Sequence, residues 1–150
     1  MFDIFLTCQL VEEPDRGFKA VYGQIQIGDF CETFVASLAC WDQIQYAQHW
    51  ASAVSRIMEG QERSALVTSF LEPSLSHHLV WWPMYRDRDV VYIQNQLLFF
   101  DQLAQPFSSK HLWDFVGERR QWSDDDQKIS EWALPIQSME AYLLRKKSKN

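Results

Sequence analysis

The sequence predicts an α+β fold in which an antiparallel β-sheet is packed by one long and two shorter helices. Three observations lead there: an apolar stripe at helical spacing over residues 41–58, strand-like runs between residues 65 and 100, and a hairpin signal around Gly28-Asp29. The 150 residues suit one domain, and no repeat, low-complexity tract or interdomain linker divides them. Hydrophobic residues make up 47% and aromatic residues 15%, so a core is well supplied. Seven Trp and ten Phe exceed what a small core needs, which places some rings at the surface or at an interface.

Taken in order, residues 1–8 carry Asp3 and no basic residue, and they are too short for a secretory leader. No stretch approaches the ~18 apolar residues of a membrane helix. Cys8, Cys31 and Cys40 are odd in number and fit neither a CxxC nor a zinc spacing. These features lead us to expect a cytoplasmic protein with reduced thiols and no membrane partner. Residues 8–17 are polar and read as a loop, and residues 21–27 and 30–38 as the two strands of a hairpin. Trp41, Ile44, Ala47, Trp50, Ala51, Val54, Ile57 and Met58 then recur at helical spacing, and Gly60 is a natural stop.

Residues 65–71, 77–85 and 90–100 are β-branched or aromatic runs separated by polar turns at 72–74 and 86–89, as in an antiparallel meander. Pro83 cannot donate to a ladder and marks an edge or a bulge. Ser108 or Ser109 can cap a short helix bearing Leu112, Trp113, Phe115 and Val116. Residues 119–127 form a charged loop interrupted by Trp122, and residues 129–133 a last short strand. Pro135 suits the first turn of a final helix whose stripe is Ile136, Met139, Tyr142 and Leu143.

The net charge of −6 is unevenly spread. Arg145, Lys146, Lys147 and Lys149 close the chain, leaving 10 basic against 20 acidic residues, a net −10, over residues 1–144. Such a body repels phosphate backbones and attracts basic proteins, and the basic tail reads as a solvated terminus.

Catalytic signals are scarce. No GxSxG, P-loop, GxGxxG or HExxH occurs. His77 and His78 are adjacent and face opposite sides of a strand, so they cannot chelate as a pair, and His49 lacks a partner at motif spacing. The histidines read as ordinary surface or boundary residues. Cys40 with His49 lacks an orienting third group. No cofactor, metal or enzymatic activity is expected.

Two features remain. Asp124-Asp125-Asp126, with Trp122 before them and Lys128 and Glu131 after, form an acidic patch with an aromatic anchor, suited to a basic partner or to a solvated loop. They lack the alternating oxygens and central glycine of a calcium loop. Trp81, Trp82, Tyr85 and Tyr92 could stack single-stranded bases, but a packed central strand pair has the same composition.

Five stretches carry a resemblance: Met1-Phe2 with Ile4-Phe5; Trp41-Asp42 with Tyr46 and Trp50; Ser64-Ala65-Leu66 with Glu72-Pro73; Val91-Tyr92-Ile93-Gln94-Asn95 with Phe99; and Lys128-Ile129-Ser130-Glu131-Trp132. In these the chain resembles the immunity proteins of bacterial contact-dependent growth inhibition systems (CdiI type). Within them it is similar to those acting against a toxin domain related to ribosome-cutting colicins. The likeness lapses from Cys8 to about Thr33 and at residues 121–126.

The resemblance implies a Whirly-like sheet flanked by helices. It also implies a cytoplasmic protein that binds the C-terminal nuclease domain of a CdiA-type effector, a basic toxin, and covers its active centre or RNA-binding face. Candidate contact residues are Trp122, Asp124, Asp125, Asp126 and Glu131, with Glu12, Glu13 and Asp15 as a second acidic segment. The competing expectation is a single-stranded nucleic-acid binder, which must overcome the −10 body; nucleic acid is not the expected partner.

Overall fold

The computed structural model describes residues 1–148. Three antiparallel strands, β1 (Phe2–Leu10), β2 (Ala20–Ile27) and β3 (Phe30–Ser37), form one sheet in that order. A second, five-stranded sheet orders β4 (Arg63–Ser69), β5 (His78–Asp87), β6 (Val90–Gln94) and β8 (Glu131–Pro135), with β7 (Gln96–Phe99) also beside β5. Helix α1 (Gln43–Met58) joins the sheets, α2 (Ile136–Ser148) closes the described chain, and a 3-10 segment spans Ser109–Phe115. The α+β architecture, its antiparallel pairing and its long helix agree with the sequence expectation.

Strand β1 was not expected. Phe2 and Ile4 are buried while Phe5 lies exposed between them and Cys8, so the alternation is real but short. Residues 8–10 belong to this strand, and only the remainder of the polar segment is loop. The β2–β3 hairpin turns at Gly28-Asp29 with Gly28 at φ 63°, a left-handed conformation that suits glycine in a two-residue turn. Gly23 serves a different need: a Cβ there would come within 2.5 Å of the Phe34 ring lying across it.

Helix α1 starts two residues later than the stripe suggests. Asp42 accepts from Gln45 N–H at 2.8 Å, and the Gln45 side chain accepts from Asp42 N–H at 2.9 Å, a reciprocal capping box. Its buried face is Tyr46, Trp50, Ala53, Val54 and Ile57. Ile44, expected inside, is 67% exposed, and Ala47 is exposed too. The cause is Tyr46: its hydroxyl donates to Ser37 O (2.7 Å) and accepts from Phe70 N–H (2.9 Å), fixing the helix with Tyr46, not Ile44, turned inward.

That face covers the outer edge of β4. Trp50 Nε1 donates to Val67 O at 2.8 Å, and Val67 N–H donates to His49 Nε2 at 2.8 Å. Trp113 Nε1 reaches Ala65 O at 3.1 Å, and Arg56 reaches Arg63 O at 3.3 Å. Arg63, Ala65 and Val67 therefore point their backbone groups away from β5 and toward these side chains. His49 is thus not a surface histidine. Held between Trp41 and Trp113, it is pushed by burial down to a pKa of about 3, so it is a neutral acceptor. With Nε2 occupied, it cannot act as a base for Cys40.

Pro83 lies within β5, opposite Ala65, and not on an edge of the sheet. The pairing of β5 is interrupted between Met84↔Ile93 and Trp81↔Gln96, where the missing N–H of Pro83 falls. The predicted turn at 86–89 narrows to Arg88-Asp89, since Arg86 and Asp87 still pair with β6. Pro135 ends β8 and does not sit in the first turn of α2. The tail also differs from a solvated end: Arg145 donates to Phe2 O and Lys146 pairs with Asp3 at 3.2 Å. Lys149 lies outside the described residues. One cluster of buried side chains links both sheets and both helices, and Phe30 stacks 4.3 Å from Trp132 to fasten the β2–β3 turn to β8.

Candidate functional site: the hairpin that leads into β8

Residues 119–131 form a braced hairpin, not a free loop. Ile129 N–H donates to Gln121 O at 2.9 Å, Trp122 bridges Lys128, and Ser123 N–H donates to Gln127 O at 2.8 Å. Asp126 closes the turn at φ 58°, a conformation that Asp tolerates better than most residues. Asp124, Asp125 and Asp126 stand exposed at the tip. Asp124 pairs with Arg120 at 2.8 Å, whereas neither Asp125 nor Asp126 is paired among the described residues. Trp122 is 56% exposed, whereas Trp132 in β8 is packed against the core.

The base of the hairpin is held by residues from two strands. Arg119 grips Glu131 through two hydrogen bonds, one at 2.8 Å, and lies 3.8 Å over the Tyr92 ring. Gln94, fully buried, donates to Glu131 at 2.7 Å and to Arg120 O at 2.8 Å. The Arg119 bond, aided by Gln94, pulls the Glu131 carboxyl below the usual range. Glu131 therefore works as the anchor of the hairpin, turned inward. The two motifs Val-Tyr-x-Gln-Asn and Lys-Ile-Ser-Glu-Trp meet here, with Gln94 opposite Glu131 and Ile93 opposite Trp132 in register.

Of the sequence candidates, Trp122, Asp124, Asp125 and Asp126 are gathered on this hairpin, with Glu131 at its foot. Glu12, Glu13 and Asp15 are exposed elsewhere, in the loop after β1; Asp15 lines a groove with the turn at residues 73–78. Sequence reasoning did not connect Arg119, Arg120, Tyr92 and Gln94 to this hairpin, because nothing local reveals a bond across 12 or 37 residues. The aromatic platform is absent: Trp81, Trp82 and Tyr85 are buried, and Arg119 covers Tyr92. Among the described residues no cluster of His, Cys, Asp or Glu could hold a metal, and no helix is long and apolar enough to cross a membrane.

An exposed aromatic ring beside a fixed, surplus-charged turn equips a protein to bind another protein. The family model described as the CdiI N-terminal domain matches residues 36–142, and the chain belongs to that family. It is 29% identical over 139 residues to the immunity protein CdiI of Enterobacter cloacae subsp. cloacae, covering 93% of this chain and 94% of that one. Its fold matches a chain of the CdiA-CT/CdiI toxin and immunity complex from Enterobacter cloacae with TM-score 0.85 at 26% identity, over 99% of each chain. As a member of this immunity-protein family, the chain is not an enzyme. The family match begins at residue 36, whereas the relative's alignment, over 139 of the 150 residues, extends into the segment before it.

Proposed function

We propose that this chain neutralises the C-terminal toxin domain of a CdiA-type effector by binding it in the cytoplasm, and that the toxin is a basic nuclease whose active centre or RNA-binding face is covered. The observation that carries this reading is the likeness along 99% of the chain to a structure solved as a toxin and immunity complex. The acidic tip and Trp122 supply charge and an anchor for a basic partner. Protection has to be nearly complete, which calls for nanomolar or tighter affinity, about −12 kcal/mol. Burial of Trp81, Trp82 and Tyr85 and the acidic body speak against nucleic acid as the ligand.

The test is a growth assay with purified components behind it. Producing the toxin domain encoded with this chain should arrest growth, and co-production of this chain should restore it. The two should co-elute, and one equivalent should stop cleavage of RNA by the toxin. Continued arrest at full expression, with the proteins eluting apart, contradicts the reading.

A further inference from the structure

The five-stranded sheet leaves one strand edge open. Phe100 N–H donates to His77 O at 3.0 Å, which sets the phase of the β5–β7 pairing. Leu98 and Gln96 therefore bond toward β5, and Leu97 and Phe99 turn their N–H and C=O groups the other way. On that side β8 runs beside β6 only as far as Glu131↔Gln94. Asn95 N–H still reaches Ser130 O at 3.4 Å, and there the chain departs into the hairpin. Among the described residues no strand lies beside Leu97 and Phe99 on the side away from β5.

The side chains here are apolar and uncovered, with Leu97 49% and Phe99 38% exposed. No Lys, Pro or inward charge blunts residues 96–99, the devices by which edge strands avoid unwanted pairing. A groove of about 470 Å³ adjoins the edge, lined by Leu97, Phe99, Phe115, Glu118 and Arg120. Arg120 is held by Asp124, so the groove is continuous with the acidic hairpin. Exposed Asp101 lies two residues beyond the end of β7.

We propose that β7 accepts an extended segment of the toxin domain as an added strand, with main-chain bonds to Leu97 and Phe99. This rests on the function proposed above and names the surface that performs it. The incoming segment carries apolar side chains toward the groove and basic ones toward Asp101 and the Asp124–126 turn. Charge decides between occupants: a second copy of this chain, at net −6, would bring acid against acid. Main-chain pairing supplies affinity and the flanking pockets supply selectivity.

Amide hydrogen exchange read by NMR, with and without the toxin domain encoded with this chain, tests the proposal. Exchange at Leu97 and Phe99 should slow by about tenfold or more in the complex. A variant pair isolates the backbone contribution. Phe99 has φ −90°, near the range of proline, and its N–H does not serve β5. Phe99→Pro should dissociate about tenfold faster than Phe99→Ala, because it alone leaves a partner carbonyl unmatched. If the wild type binds the toxin domain while both amides exchange at their free rates, the proposal is wrong and the function stands. If the wild type binds no toxin domain, the function itself fails and the proposal with it. Protection seen without toxin and lost on dilution assigns the edge to a second copy and overturns the proposal.

Discussion

Along the outer edge of β4 the carbonyls of Arg63, Ala65 and Val67 and the N–H of Val67 are each taken by a side chain, whereas along β7 the outward groups of Leu97 and Phe99 have no strand beside them. Both are edges of the same sheet. The first is closed by Trp50, His49, Trp113 and Arg56, three of them from one helix, with Arg56 itself 4.7 Å over the Trp113 ring. The second is flanked by exposed Leu and Phe beside an acidic hairpin. An uncovered edge invites pairing. The contrast teaches that the fold protects one edge permanently with its core and keeps the other available to a partner.

The largest effect should come from opening the closed edge. Trp50→Ala removes a ring 2% exposed together with its bond to Val67, and should destabilise the fold by about 3–5 kcal/mol in urea melts. A loss below about 1 kcal/mol would show that α1 does not secure β4. Acid should act on the same edge. His49 stays neutral in the folded chain down to about pH 3, while the unfolded chain takes up its proton near pH 6.5. Its contribution is thus fully present above about pH 6.5 and declines below, by about 1.4 kcal/mol per unit. From pH 7 to 5 the loss should be about 2 kcal/mol. Glu131, with its carboxyl lowered by Arg119, contributes fully above the usual carboxylate range and loses that contribution as pH falls through this range toward its own lowered value. His49→Gln should therefore flatten the profile between pH 5 and 7, and an unchanged slope would assign it to another group.

Smaller effects sharpen the comparison. Trp113→Phe keeps an aromatic ring and loses the bond to Ala65, which should cost about 1 kcal/mol in the same melts. On the open edge, Leu97→Lys should change stability by less than about 0.5 kcal/mol, since the side chain already faces solvent. A larger destabilisation by Leu97→Lys than by Trp113→Phe would reverse the roles given to the two edges.

The sequence made the hairpin, the meander and the helical segments legible because their signals are local: two-residue turns, alternation and a stripe. What it hid was set by distant contacts. The phase of α1 follows from Tyr46 bonding to Ser37 and Phe70, which no period within residues 41–58 encodes. Strand β1 was obscured because Phe5, Leu6 and Thr7 blur its alternation. At the candidate site, Trp122 and the three aspartates could be read as a patch, but Glu131 could not be separated from them without Arg119 and Gln94. The open edge was invisible, since it depends on where β8 stops.

Binding kinetics against the toxin domain encoded with this chain, at low and physiological salt, test most directly whether the hairpin leads the encounter with a basic partner. Changing Asp124, Asp125 and Asp126 together to Asn removes three exposed charges and retains size and polarity. Electrostatic steering can lift association from about 10⁵–10⁶ to 10⁸ M⁻¹s⁻¹ at low salt, and screening over about 8 Å at physiological salt reduces it. The variant should associate more slowly, with a flatter salt dependence and unchanged melting, while Trp122→Ala should mainly speed dissociation. Association of the triple variant at the wild-type rate in low salt would contradict the account and move the contact surface toward Glu12, Glu13 and Asp15.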